Sequence, residues 1–154
     1  MQKITANLWC KGNAREMAEY YTAVFPDGKI IGGSKYPDGS NGKLEYFQKD
    51  FAGKDLTIDI ELATQRFTLI NSGPEFTFNE AVSFAVSCKD QTEIDYFWEK
   101  LSAVPESEQC GWCKDKFGLS WQIVPENFDK ILKTKPGAWN IMMNQKKIIL
   151  ADYE

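Results

Sequence analysis

The chain contains no histidine. That absence removes Ser-His-Asp and Cys-His arrangements, the imidazole proton shuttle and every metal site built on histidine. No run of lysine and arginine is longer than a pair, and 18 basic residues stand against 22 acidic ones for a net charge of −4. A clustered positive field that would hold nucleic acid or an anionic membrane is therefore not expected. No segment approaches the ~20 apolar residues of a membrane span, and the start, MQKITANLW, lacks the apolar core of a signal peptide. The expectation is a cytoplasmic protein whose four cysteines, Cys10, Cys88, Cys110 and Cys113, are reduced thiols.

Apolar and aromatic residues, by contrast, are plentiful at 43% and 14%. A chain of 154 residues hides roughly 70% of its unfolded surface on folding, so one folded domain over residues 1–154 is expected. Within it a helical signature occurs twice. From Asn13 the chain reads NAREMAEYYTAVF, with Asn13 as N-cap, Glu16 completing a capping box, and Ala14, Met17, Ala18, Tyr21, Val24 and Phe25 at helical spacing. Pro26-Asp27-Gly28 stops it. From Asp90 it reads DQTEIDYFWEKL, with Asp90 as cap, Glu93 as box partner and Ile94, Phe97, Trp98 and Leu101 as the apolar stripe. The caps lie 77 residues apart (90 − 13), half of 154.

Each helix follows a strand-like run, ITANLWC or AVSFAVSC, and precedes others. KIIGGSKY, LTIDIEL and FTLIN follow the first, with a turn at Ala63-Thr64-Gln65; EQCGWCK and LSWQIV follow the second, joined by Asp115-Lys116-Phe117-Gly118. The predicted fold class is α+β, with two β-α-β-β-β modules and C-terminal helices. The first module spans 1–74 with a Gly/Asp/Lys-rich hairpin insertion at 37–55, the second 75–125, and a helical tail 126–154. In the tail, Phe128, Ile131 and Leu132 share one side and Trp139, Met142 and Met143 another. Such a segment suits either covering a partner subunit or closing its own core.

The stretches LWCKGNAREMAEYYTAVFPD, FTLINSGPEFTFNEAVSFAVSCKDQTEIDYFWEKL and QCGWCKDKFGLSWQIVP closely resemble the PhnB-like, 3-demethylubiquinone-9 3-methyltransferase-like branch of the vicinal oxygen chelate superfamily, relatives of glyoxalase I and bleomycin-resistance proteins. The resemblance covers nearly the whole chain. It implies a homodimer of paired modules forming curved half-barrel sheets, each wrapping a cavity for a small molecule. It also implies, from metal-dependent members, one ligand position on the first and one on the last strand of each module. Counted back seven residues from the two caps, the first-strand positions are Ala6 and Ser83. On the last strands, Gln122 stands in place of a ligating Glu, and Leu69, Ile70 or Asn71 is its counterpart in the first module, depending on register. Hard and borderline cations want several imidazoles or carboxylates. No resident metal and no cofactor are therefore expected. The methyltransferase part of the family description calls for a glycine-rich methyl-donor loop, yet Gly32-Gly33 sits inside a strand-like run and no G-x-G occurs.

Ser83, Gln122 and Asn71 are polar residues on otherwise apolar strands, suited either to a small polar ligand in a sheet-lined cavity or to bonds within the sheet. Trp9 and Trp112 lie near the same strands as pocket walls or packing, while Trp121, alternating with Gln122, faces the helices. Asp59 and Glu61 are either strand-face charges or a cavity-edge base. Cys110-Gly-Trp-Cys113 leads into a strand rather than a helix, so it reads as two structural cysteines. No nucleophile has an adjacent base, so no catalytic residue is assigned. Three functions follow: binding of a small organic molecule without a metal, metal-free chemistry on a small polar substrate, or a non-catalytic scaffold dimer.

Overall fold

The computed structural model, which describes residues 2–40 and 42–154, resolves into two units, the first ending at Thr77 and the second beginning at Phe78. In the first, β1 (Ala6–Cys10), α1 (Ala14–Val24), β2 (Lys29–Lys35), β3 (Asp55–Leu62) and β4 (Gln65–Asn71) build a sheet of order β1-β4-β3-β2. β1 and β4 run parallel, and the remaining neighbours are antiparallel. Strict alternation puts Ile58, Ile60, Leu62, Phe67 and Leu69 on the side where α1 packs, with its buried Ala14, Met17, Ala18 and Tyr21. Each fully buried large side chain of this set is worth about 1.5–3 kcal/mol of transfer free energy.

Local signals fix the ends of these elements. Gly28 follows α1 where a Cβ would meet the Thr22 backbone at 2.6 Å, so the stop requires glycine. β3 and β4 are joined by the two-residue turn Ala63-Thr64, both at positive φ (49° and 66°), which matches the twist of the flanking strands. The stretch 37–55 connects the antiparallel pair β2 and β3 and carries a 3-10 turn at Tyr46–Phe51; Asn41 within it lies outside the described residues.

The second unit contains β5 (Ser83–Cys88), α2 (Gln91–Leu101), β6 (Trp112–Lys114) and β7 (Ser120–Pro125), in sheet order β5-β7-β6. β5 and β7 are parallel, and β6 and β7 antiparallel. This repeats the first plan one strand short. The chain after α2 enters a 3-10 turn at Pro105–Ser107, where proline has no N–H for a ladder. The expected strand EQCGWCK is narrower than its composition implies. Cys110 and Gly111 take positive φ (41° and 88°), so a tight turn bridged by Gln109 and Trp112 replaces its first half.

The tail forms α3 (Phe128–Thr134), α4 (Ala138–Met143) and a 3-10 turn at Leu150–Tyr153. Ala138, Met142, Ile148 and Tyr153 are buried together, and Phe128, Ile131, Leu132 and Cys110 pack against them. Of the two uses open to the tail, closing a core of its own unit is thus realised, while Trp139 and Met143 remain exposed. Among the described residues no helix is long and apolar enough to cross a membrane.

Helix capping follows two routes. Asp90 accepts from the Glu93 amide at 2.9 Å, the expected N-cap bond of α2. Asn13 does not cap α1. Its Oδ1 accepts from the Lys11 amide instead, and the free amide of Ala14 donates to Asn71 Oδ1 at 3.1 Å.

Candidate functional site

β7 alternates between two environments. Trp121 and Ile123 are buried on the side of α2, whereas Ser120, Gln122 and Val124 share the opposite face. Parallel pairing sets Ser83, Ala85 and Ser87 of β5 beside Ser120, Gln122 and Val124, and antiparallel pairing sets Trp112 of β6 beside Gln122. One sheet face thereby collects three serines, an amide and an indole. Gln122 Nε2 donates to Ser83 Oγ at 2.9 Å. The Ser120 hydroxyl, almost completely buried, has no hydrogen-bond partner among the described residues.

This face opens into a cavity of about 500 Å³. Ser87, Trp112, Gln122 and Val124 form its sheet side; Phe128, Leu132, Trp139, Met142 and Met143 form the side built by the tail, with Cys110, Glu126 and Asp129 also lining it. Backbone bonds tie the tail down: the amides of Cys110 and Gly111 donate to the carbonyls of Gln145 and Lys146 at 2.7 and 2.8 Å. The tight turn that shortens the sixth strand is therefore also the anchor of the tail. Gln91 adds a second anchor, its Nε2 donating to the Ile148 carbonyl and its Oε1 accepting from the Leu150 amide.

Behind the sheet, buried Asp115 accepts from the amides of Phe117 and Leu119 and from Trp121 Nε1, which fixes both the β6–β7 turn and the indole. Trp121 thus faces α2 as its alternation with Gln122 predicts. No helix follows Cys110-x-x-Cys113, and burial pushes the Cys113 thiol up to about 12, with Asp115 and Glu108 adding to it. Burial also raises Cys110. Neither thiol has the depressed pKa of a redox nucleophile.

In the first unit the strand pairing corrects the register. Cys10 and Cys88 are matching residues: each is buried, ends the first strand of its unit, and its Sγ donates to the carbonyl two residues back. From Cys10 to the helix cap the chain has two residues, Lys11 and Gly12, but from Cys88 only Lys89. Counting from the caps therefore slips by one. Ala6, which pairs with Phe67, falls on the helix-packed side, and the true counterpart of Ser83 is Thr5. By the same pairing Gln122 corresponds to Thr68, not to Leu69, Ile70 or Asn71. Thr68 donates to Asp59 Oδ1 at 2.7 Å, and Glu61 pairs with Lys29 at 3.6 Å.

Asn71 sits on the helix side, where Oδ1 holds the Ala14 amide and Nδ2 donates to the Asp55 carbonyl at 3.0 Å. Its amide is engaged at both ends in building the fold. Trp9 donates from Nε1 to the Gly73 carbonyl at 2.8 Å and meets Phe76 edge-on with ring centroids 4.9 Å apart. Of the five residues singled out from sequence, Gln122, Ser83 and Trp112 come together on one sheet face. Asn71 and Trp9 belong to the other unit.

The positions that metal-dependent relatives would use do not fit a divalent cation. Thr5, Thr68 and Ser83 carry hydroxyls and Gln122 an amide, rather than carboxylates or imidazoles, and Gln122 and Ser83 bond to each other. Among the described residues no three Cys, Asp or Glu side chains converge as a metal-binding group. Sequence reasoning missed Ser87, Cys110, Glu126 and Asp129 as lining residues. For Ser87 a signal existed, since Ser83, Ala85 and Ser87 alternate as small residues along one strand face.

The model of the 3-demethylubiquinone-9 3-methyltransferase family matches residues 2–124. The chain belongs to this family. Among solved structures, it is similar to the PhnB protein of Bacillus cereus, at 32% identity and a TM-score of 0.61, over 80% of this chain and 99% of that one. It also resembles a Pseudomonas aeruginosa protein (16% identity, TM-score 0.57, covering 81% and 98% of the two chains), a likeness of fold alone. An Arabidopsis thaliana gene product is similar in the same sense, at 17% identity and a TM-score of 0.51 over 80% and 98%. No curated protein matches significantly. The family match ends at 124, so the helices that wall the cavity, α3 and α4, lie beyond the matched residues.

Proposed function

We propose that this PhnB-like protein binds a small organic molecule on the open face of its second sheet, without a metal. The observation that carries the reading is the gathering of Gln122, Trp112 and Ser87 on one face of a cavity of about 500 Å³ with an apolar far wall. That volume and that mixture of many apolar with few polar groups are those of ordinary small-molecule sites. A neutral amide suits the role because it both donates and accepts, and its burial costs less than that of a carboxylate. Cys110 is the one thiol among the lining residues, and burial raises its pKa rather than activating it as a nucleophile.

The experiment is a thermal-shift screen of small organic molecules, followed by titration of the best hit into wild type and Gln122→Ala. The variant should bind more weakly by about 0.5–1.5 kcal/mol, the worth of one neutral hydrogen bond. Equal affinity in both removes Gln122 from the site. We also propose a homodimer. β2 is an edge strand with all seven residues exposed, Ile30 and Ile31 among them, and such an edge invites pairing with a second copy. Light scattering should return twice the 17.6 kDa chain mass; a monomer mass at micromolar concentration contradicts it.

A further inference from the structure

We infer that the tail makes this cavity selective for an aromatic or apolar molecule that carries a positive charge; the inference rests on the binding role proposed above and names the ligand class. The sheet side offers only neutral groups, Gln122, Ser87 and Trp112 among them. The segment after Pro125 adds two things. One is an apolar wall led by Trp139 and Met142, and the other is a pair of carboxylates, Glu126 and Asp129. No lysine or arginine lines the cavity, and among the described residues neither carboxylate is held in an ion pair.

Two unneutralised carboxylates beside low-dielectric walls concentrate a negative potential in the cleft. An anionic ligand would meet repulsion there with no compensating cation. A cation gains from the carboxylates, and wherever it meets the face of Trp112 or Trp139, both of which line the cavity, it gains again. The wall is in place before any ligand arrives, because the amides of Cys110 and Gly111 and the side chain of Gln91 hold the tail to the rest of the second unit.

The test is calorimetric titration of the full chain, at low salt, with three flat aromatic probes: ethidium, a cation; phenanthridine, its neutral parent ring; and anilinonaphthalene sulfonate, an anion. Ethidium should bind about three- to tenfold more tightly than phenanthridine, as two exposed charge pairs allow, and the sulfonate least. The double variant Glu126→Gln/Asp129→Asn, at two exposed positions and checked for folding by its melting curve, should abolish the ethidium advantage, bringing ethidium and phenanthridine to similar affinity. Trp139→Ala should weaken both ethidium and phenanthridine. If phenanthridine or the sulfonate binds wild type as well as ethidium does, or if the double variant keeps the preference, charge selection is overturned and the cavity survives as a binding site. If none of the three probes binds, this inference and the binding role fall together.

Discussion

Gln122 and Ser83 are joined by a 2.9 Å hydrogen bond across the parallel pair of the second sheet, from amide Nε2 to hydroxyl Oγ. The bond satisfies one amide hydrogen and leaves Oε1 and the second hydrogen for other partners. Gln122 is only half-buried, so its loss costs little in desolvated groups. Gln122→Ala and Ser83→Ala should each lower stability by about 0.5–1 kcal/mol in urea unfolding. The double variant should cost less than the sum of the two, because both remove one bond. Strict additivity would show that the two residues do not interact in solution.

Asn71 predicts the opposite balance. Its amide replaces Asn13 as the cap of α1 and also ties down the start of β3 through the Asp55 carbonyl. Asn71→Ala leaves the Ala14 amide without its acceptor and should cost about 2 kcal/mol by urea unfolding, with ligand affinity unchanged. A loss of affinity at full stability would return Asn71 to the binding site.

The two helices, their preceding strands and the inward face of β7 were all legible from period and cap residues, since Asp90, Ile94 and Trp121 behave as their spacing requires. The register of the first unit was not, because the single extra residue beside Gly12 in the β1–α1 loop shifts a count made from the helix cap and turns Ala6 to the wrong face. Nor was the cap of α1, which depends on a residue 57 positions away. Cys110-Gly111 looked like part of a strand, since a positive φ at a cysteine leaves no mark in composition. The cavity was half legible. Gln122 and Trp112 announce themselves as polar or aromatic interruptions of strands, and Ser83 holds Gln122 without lining the cavity, but the wall of Trp139 and Met142 needs the path of the tail.

Acid should weaken the first unit through Asp55. The Arg15 guanidinium bonded to it holds its carboxyl below the usual range, against an opposing push from burial, and Lys35 adds a second bond. A carboxylate with a depressed folded pKa contributes stability that is complete above its unfolded value, about 3.9, and is lost as pH falls through the folded value. Urea midpoints should therefore drop as pH is lowered below about 4. In Asp55→Asn that acid limb should be shallower. An identical acid limb in the variant would mean that other carboxylates carry it.

The most direct measurement of the binding role uses Cys110 as a reporter, by following iodoacetamide alkylation of each cysteine with mass spectrometry in the folded protein. Burial raises all four thiols, those of Cys10, Cys88 and Cys113 to about 12, but only those three are enclosed, so Cys110 on the cavity wall should react fastest. A small molecule bound against Gln122 and Trp112 should slow Cys110 alkylation in proportion to its occupancy, and Gln122→Ala should need more of that molecule for the same protection. Alkylation of Cys110 at its full free rate under a saturating ligand would contradict the assignment of this cavity as the binding site.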